Sequence, residues 1–238
     1  MRSLGIVGAA LAGLGLGGPI VAQPAQAADT YVVHGINGID LGQNEALPVD
    51  IAVNGACAFE RVEFGEVLGP ANLDAGPHQI RVSLADEQPC AGPLALTARI
   101  DVSIAETAIV VAHLDQQGAP RLSKFTINAD PLDHADARLT AYHTAAAPNV
   151  DLRVRQPGVS GFLTAIKGLA NGEASFPAEV PAGSYELRVS PSTESGVGFN
   201  PPLADIPIEL EAGSAYAVFA AGSLANETFT AIPVVIRP

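Results

Sequence analysis

The chain is predicted to be all-β, with two antiparallel β-sandwich domains in tandem. Three observations predict this: apolar residues alternate with polar ones at a period of two, turn signals separate the alternating segments, and the whole pattern occurs twice. Alternation is clearest at Ile80, Val82 and Leu84, which point to one side of an extended segment while Arg81 and Ser83 point to the other. Continuous apolar runs at residues 108–112 and 216–221 suit strands covered on both faces. Turns fall at Asn37-Gly38, Asn54-Gly55, Ala75-Gly76-Pro77, Asn171-Gly172 and Ala182-Gly183, where glycine supplies a positive φ or asparagine tolerates one. No stretch of a dozen residues keeps a 3.6-residue period. Residues 162–170 come nearest to a helix, but their place in the repeat matches strand and turn.

The repeat is carried by Ala75-Gly-Pro-His-Gln-Ile-Arg-Val-Ser83, which returns as Ala182-Gly-Ser-Tyr-Glu-Leu-Arg-Val-Ser190 with five of nine positions identical. Upstream, Val32-Val33-His34 answers to Ala141-Tyr142-His143, and the Val-Asp pair Val49-Asp50 answers to Val150-Asp151. Downstream, residues 100–104 answer to 206–210. Fourteen residues separate His34 from Val49, but only six separate His143 from Val150, so the first copy carries an insertion at residues 35–48. Loops change length between copies while strands do not. The polar, proline-containing stretch at 129–137 reads as a short linker that restricts relative motion. The organisation predicted is a signal peptide at 1–27, a sandwich at 28–128, the linker, and a second sandwich at 138–238.

The signal assignment rests on Arg2, a charge-free stretch from Leu4 to Ala22, and a small-x-small pattern ending at Ala27. Several glycines and Pro19 make that stretch a poor permanent membrane helix, and no later segment is apolar enough to span a bilayer, so the mature chain is expected to be extracytoplasmic, periplasmic or secreted. In that compartment Cys57 and Cys90 are expected to form a disulfide. Twelve basic residues against 25 acidic ones give a net charge of −13, and no basic patch exists, so phosphate backbones are repelled and nucleic acid is excluded as a partner. Tryptophan is absent and aromatics make up 5%, so the core must come from Val, Ile, Leu and Ala.

The apolar pair before His34 or His143, the Val-Asp strand start, and the Ala-Gly-x-x-x-(Ile/Leu)-Arg-Val segment together resemble the bacterial domain of unknown function 4397 family, in two copies. The chain departs from that pattern in the long first loop and in lacking an aromatic at the start of 108–112, where the second copy has Tyr216. The resemblance implies an exported, immunoglobulin-like module, often in tandem, with no established activity.

Candidate chemistry is sparse. His34 with Asp50 and His143 with Asp151 recur as pairs; they could form proton relays or half-sites for a metal, but their presence in both copies fits a structural pin at the sandwich edge better than one active site. Asp130, Asp133, His134 and Asp136 crowd the linker without an ordered calcium-loop pattern, and a solvated linker is the expected state. Residues 13–18 match G-x-G-x-x-G inside the export signal, where no βαβ unit surrounds them. No G-x-S-x-G elbow or His-Glu-x-x-His motif occurs, and Asn226-Glu227-Thr228 is a glycosylation sequon. The expected function is an exported, non-catalytic binding or scaffolding module of the cell envelope, with no cofactor, contacting protein or glycan through its loops, those at 35–48 first. A passive envelope spacer and a hydrolase with a site dispersed in sequence are the alternatives.

Overall fold

The computed structural model describes residues 27–133, 135–192 and 201–237, with the backbone alone for 163–165. The expected signal segment lies outside the described residues except for Ala27, as does His134 of the linker. Among the described residues the chain forms sixteen strands in four sheets of four, and one turn of 3-10 helix at Gly38–Leu41. The protein is all-β, as its period-two pattern requires.

The first sandwich pairs an inner sheet, ordered β4 (Val67–Leu73), β1 (Ala28–His34), β7 (Thr107–Leu114) and β8 (Pro120–Ile127), with an outer sheet. The outer sheet is ordered β3 (Ala56–Val62), β2 (Val49–Val53), β5 (Gly76–Leu84) and β6 (Leu94–Val102). The second sandwich repeats this plan. Its inner sheet runs β12 (Ala178–Pro181), β9 (Asp136–His143), β15 (Ala215–Ala221), β16 (Thr230–Ile236). Its outer sheet runs β11 (Leu163–Leu169), β10 (Val150–Arg155), β13 (Gly183–Pro191), β14 (Ala204–Leu210). The near-helical stretch at 162–170 is thus strand β11. Asp136 and Ala137, counted with the linker from sequence, are the first residues of β9, where Ala137 is fully buried and pairs with Val180.

One expectation needs correction. The sandwiches are not purely antiparallel, because β1 lies parallel to β7 and β9 lies parallel to β15, while the other pairings are antiparallel. Each first strand slots between an edge strand and the last hairpin of its own unit. No local turn joins it to its parallel neighbour, so only long-range packing sets the pairing.

Alternation along the inner strands divides the buried side chains into three layers. Val32, Val110, Ala112 and Leu114 face Ile51, Ile80 and Val82 of the first outer sheet. In the second unit, Leu139, Ala141, Tyr216 and Val218 face Leu152, Leu187 and Val189. The intervening positions build a third layer between the two inner sheets. Val33, Ile109 and Val111 of the first sandwich pack there against Tyr142, Ala217, Phe219, Ile232 and Val234 of the second. This explains why β7 and β15 are buried at nearly every position, whereas β5 and β13, in the outer sheets, alternate. At the middle of the interface Tyr142 stacks on Phe219 with centroids 4.5 Å apart, and Phe125 of the first sandwich meets the Tyr142 ring edge-on at 4.9 Å. Burial pushes the Tyr142 phenol up to about 12. Each such side chain removed from water contributes about 1.5–3 kcal/mol, so the two sandwiches are joined by a core and not only by a linker.

Candidate functional site at the clasped end

Each copy of the repeat builds the same pin. His34, at the end of β1, donates from Nε2 to the carbonyl of Leu47 at 2.9 Å, two residues before Val49. His143, at the end of β9, donates from Nε2 to the carbonyl of Pro148 at 3.0 Å, two residues before Val150. Both imidazoles therefore tie the loop entering the outer sheet back to the inner sheet. Both are buried, and burial pushes each below the ordinary histidine value, outweighing the opposite pull of the carbonyls they meet. The Nδ1 atom of His34 accepts a long bond from the Ile36 N–H at 3.4 Å, while that of His143 has no partner among the described residues.

The aspartates do a separate job. Asp50 accepts the backbone N–H of Arg61 on Oδ1 and that of Cys90 on Oδ2, both at 2.8 Å. Asp151 accepts the N–H of Gly168 at 2.9 Å. Arg61 and Gly168 occupy matching bulges, where β3 slips against β2 and β11 slips against β10, and both have positive φ, 53° and 65°. The carboxylate satisfies an amide that the bulge removes from the ladder. No hydrogen bond joins His34 to Asp50 or His143 to Asp151 among the described residues, so the structure does not assemble the proton relay considered from sequence.

Cys57 on β3 is disulfide-bonded to Cys90, with Cα atoms 5.7 Å apart. The bridge and the second oxygen of Asp50 hold the same segment, the connection between β5 and β6. In the linker, Arg138 reaches back from β9 and donates to the carbonyls of Asn128 and Asp130 and to the Asn128 side chain at 2.9–3.0 Å, with Glu179 as its carboxylate partner at 2.7 Å. An internal cation thus takes two backbone carbonyls and one amide oxygen at the start of this stretch, and no group of three metal-ligating side chains exists among the described residues.

The insertion at 35–48 does not hang free. Ile36 and Leu47 are buried in the first core, and the helical turn between them places Asp40 against the second sandwich. Asp40 accepts the Thr228 hydroxyl at 2.8 Å and the Asn226 amide at 3.0 Å. Close by, Asn171 Nδ2 donates both to Leu114 of the first unit at 3.0 Å and to Ala145 of the second at 2.7 Å. We refer to this junction as the clasp. It engages the sequon, since the Asn226 amide is committed to Asp40. Sequence reasoning missed Asp40 and Asn171: an aspartate in a loop and an Asn-Gly turn both carry ordinary local meanings. Around the clasp Ile39, Leu41 and Leu224 are 49%, 37% and 39% exposed.

The geometry defines a β-sandwich protein of two units that share a pin and a bulge acceptor. The chain belongs to the family described as "Domain of unknown function (DUF4397)", whose sequence profile matches residues 31–153, from β1 into β10. No curated protein matches the chain. Among solved structures it is similar to one described as "The Bacillus anthracis TIE protein", at 10% identity and a TM-score of 0.27 over 82% of this chain. The match spans only 34% of that protein's length. No helix among the described residues is long and apolar enough to cross a membrane.

Proposed function

We propose that this protein is an extracytoplasmic, non-catalytic module that works as a rigid scaffold and docks an envelope protein at its clasped end. One observation carries the reading: loops from both sandwiches are locked together by Asp40, Asn226 and Thr228, and they present Ile39, Leu41 and Leu224 to solvent beside that lock. Aliphatic side chains held on a fixed platform suit a protein partner better than a glycan, which would call for aromatic platforms and free polar groups. The apolar layer between the inner sheets supports rigidity. The disulfide supports an oxidising compartment, and β1 begins at Ala28, directly after the expected cleavage point.

The test places a photo-reactive amino acid at position 39 in cells. A single adduct with a distinct envelope protein is expected, lost in Leu41→Ser/Leu224→Ser while the melting temperature stays unchanged. Adducts with second copies of the chain alone would instead favour a spacer, and labelling that survives the double substitution would sink the docking reading. Mass spectrometry of the purified protein should find Ala28 as its first residue; an intact leader would refute export by cleavage.

A further inference from the structure

We propose that the outer sheet of the first sandwich binds an acidic saccharide, whose carboxylates are taken by Arg81 of β5 and Arg99 of β6. Both arginines are exposed and lie on the solvent face of that sheet. Arg81 pairs with Thr97 and Gln79 pairs with Arg99, so the two arginines hold diagonal positions on neighbouring strands. Such positions are about 7–8 Å apart, within the reach of long side chains. Among the described residues neither guanidinium has an ion pair or a hydrogen bond. The chain carries 25 acidic residues against 12 basic ones, and Arg121, Lys124, Arg138, Arg155, Arg188 and Arg237 all meet a carboxylate. Arg81 and Arg99 are left open.

The second sandwich shows what the first one lacks. By register, Arg188 stands where the first unit has Arg81, Asp205 where it has Thr97, Glu186 where it has Gln79, and Pro207 where it has Arg99. In the second unit Asp205 accepts two bonds from Arg188 at 2.6 and 2.7 Å, and Glu186 takes Arg155. The first unit has neutral side chains in place of both acids and a second arginine in place of the proline. Asp101 lies two residues beyond Arg99 on the same face and forms no ion pair with it. Like charges so placed repel one another, and an outside carboxylate relieves that repulsion. The planar guanidinium fork matches a carboxylate with two parallel bonds.

The place is concave as well as charged. A groove of about 520 Å³ lies beside Arg99, lined also by Asn54, Pro77, Gln79, Thr97 and Ala98. One end of it is held fixed. Asn54 donates from Nδ2 to His78 Nδ1 and accepts the Gln79 N–H, both at 2.9 Å, while His78 Nε2 donates to the Asp74 carbonyl at 2.7 Å. The Gln79 side chain has no partner among the described residues, so an amide stands free next to the guanidinium. Hydroxyls and a carboxylate suit this lining, whereas a peptide would call for a buried pocket to anchor an apolar side chain. β2 runs from the insertion at 35–48 to Asn54, so the groove lies at the end of β2 away from the clasp. The inference therefore stands apart from the docking reading.

The experiment titrates the full chain with tri-galacturonate, with uncharged maltotriose and with a triglutamate peptide, following backbone amide NMR signals. Saturable shifts with tri-galacturonate are expected at Asn54, Gln79, Arg81, Thr97 and Arg99, and none with maltotriose. Arg81→Gln and Arg99→Gln should each weaken binding at least about tenfold, through loss of a charge-assisted bond, with the melting temperature unchanged. Thr97→Asp, which copies Asp205, should weaken it similarly by engaging Arg81 internally. Non-saturating shifts, shifts confined to the second sandwich, undiminished binding by Arg99→Gln, or triglutamate binding as tightly as tri-galacturonate would each overturn the proposal. Thr97→Asp also gives up the Thr97 hydroxyl bond to the Ile80 carbonyl, so the two glutamine variants keep the test intact even if the aspartate variant does not fold.

Discussion

The two sandwiches differ most where they are stapled. Both tie a histidine to a loop carbonyl and both feed a bulge amide to an aspartate, yet the first adds a disulfide and a second aspartate bond at Cys90. In the second, the connection matching the Cys90 segment is residues 193–200, outside the described residues, and the outer sheet face carries ion pairs. Arg155 meets Glu186 and Arg188 meets Asp205, and both guanidiniums lie over the Phe162 ring at 4.3 and 4.4 Å. The comparison teaches that the pin and the bulge acceptor are the common framework, because they satisfy backbone groups that the topology itself leaves open. The disulfide and the Arg155–Glu186 and Arg188–Asp205 pairs are additions on the outer sheets, and half-exposed ion pairs contribute little each.

The strongest way to break the comparison is to remove the disulfide. Cys57→Ser/Cys90→Ser should destabilise the first sandwich by about 3–4 kcal/mol through the loop that the bridge closes. Denaturant unfolding of parent and variant measures it, and an unchanged midpoint would mean that Asp50 alone holds the Cys90 segment. Next come the aspartates. Asp50→Ala strands two amides and should destabilise by about 2–4 kcal/mol, against about 1–2 kcal/mol for Asp151→Ala, which strands one among the described residues. Equal losses would show that the Cys90 bond adds nothing.

A smaller effect sharpens the match between the bulges. Arg61 holds a left-handed conformation that suits glycine, and the second sandwich has Gly168 at that place. Arg61→Gly should therefore be neutral or stabilising by up to about 1 kcal/mol, while Gly168→Ala should destabilise by a similar amount. The gentlest effect is that of pH. Burial holds His34, His113 and His143 below the ordinary value of 6.5, so the unfolded chain binds protons more tightly than the folded one. The stability this represents is fully present above that value and is lost as pH falls from it through the lower folded values. Melting temperature should thus drop on acidification below pH 6.5, and His143→Gln should flatten part of the drop; a curve that rises on acidification contradicts the assignment.

Most of the strands were legible in the residues. Ile80, Val82 and Leu84 define their own buried face because a period of two leaves no other arrangement, and the two cysteines, alone in the chain, could pair only with each other. The continuous runs in β7 and β15 correctly announced strands covered on both sides. The parallel neighbours β1 and β9 were not legible, since nothing local records which distant strand completes a sheet. The insertion at 35–48 was only partly legible for a related reason: its length suggests a recognition loop, but Ile36 and Leu47 entering the core and Asp40 reaching Thr228 depend on what lies opposite.

By itself the sequence determined the layered character of this protein, its duplication, its turns and its single disulfide, because these follow from side-chain periodicity and backbone preference within short spans. Only the tertiary structure decided that the inner sheets pack face to face and that Asp40 clasps the second sandwich. Those outcomes turn on which surfaces meet across long separations in the chain.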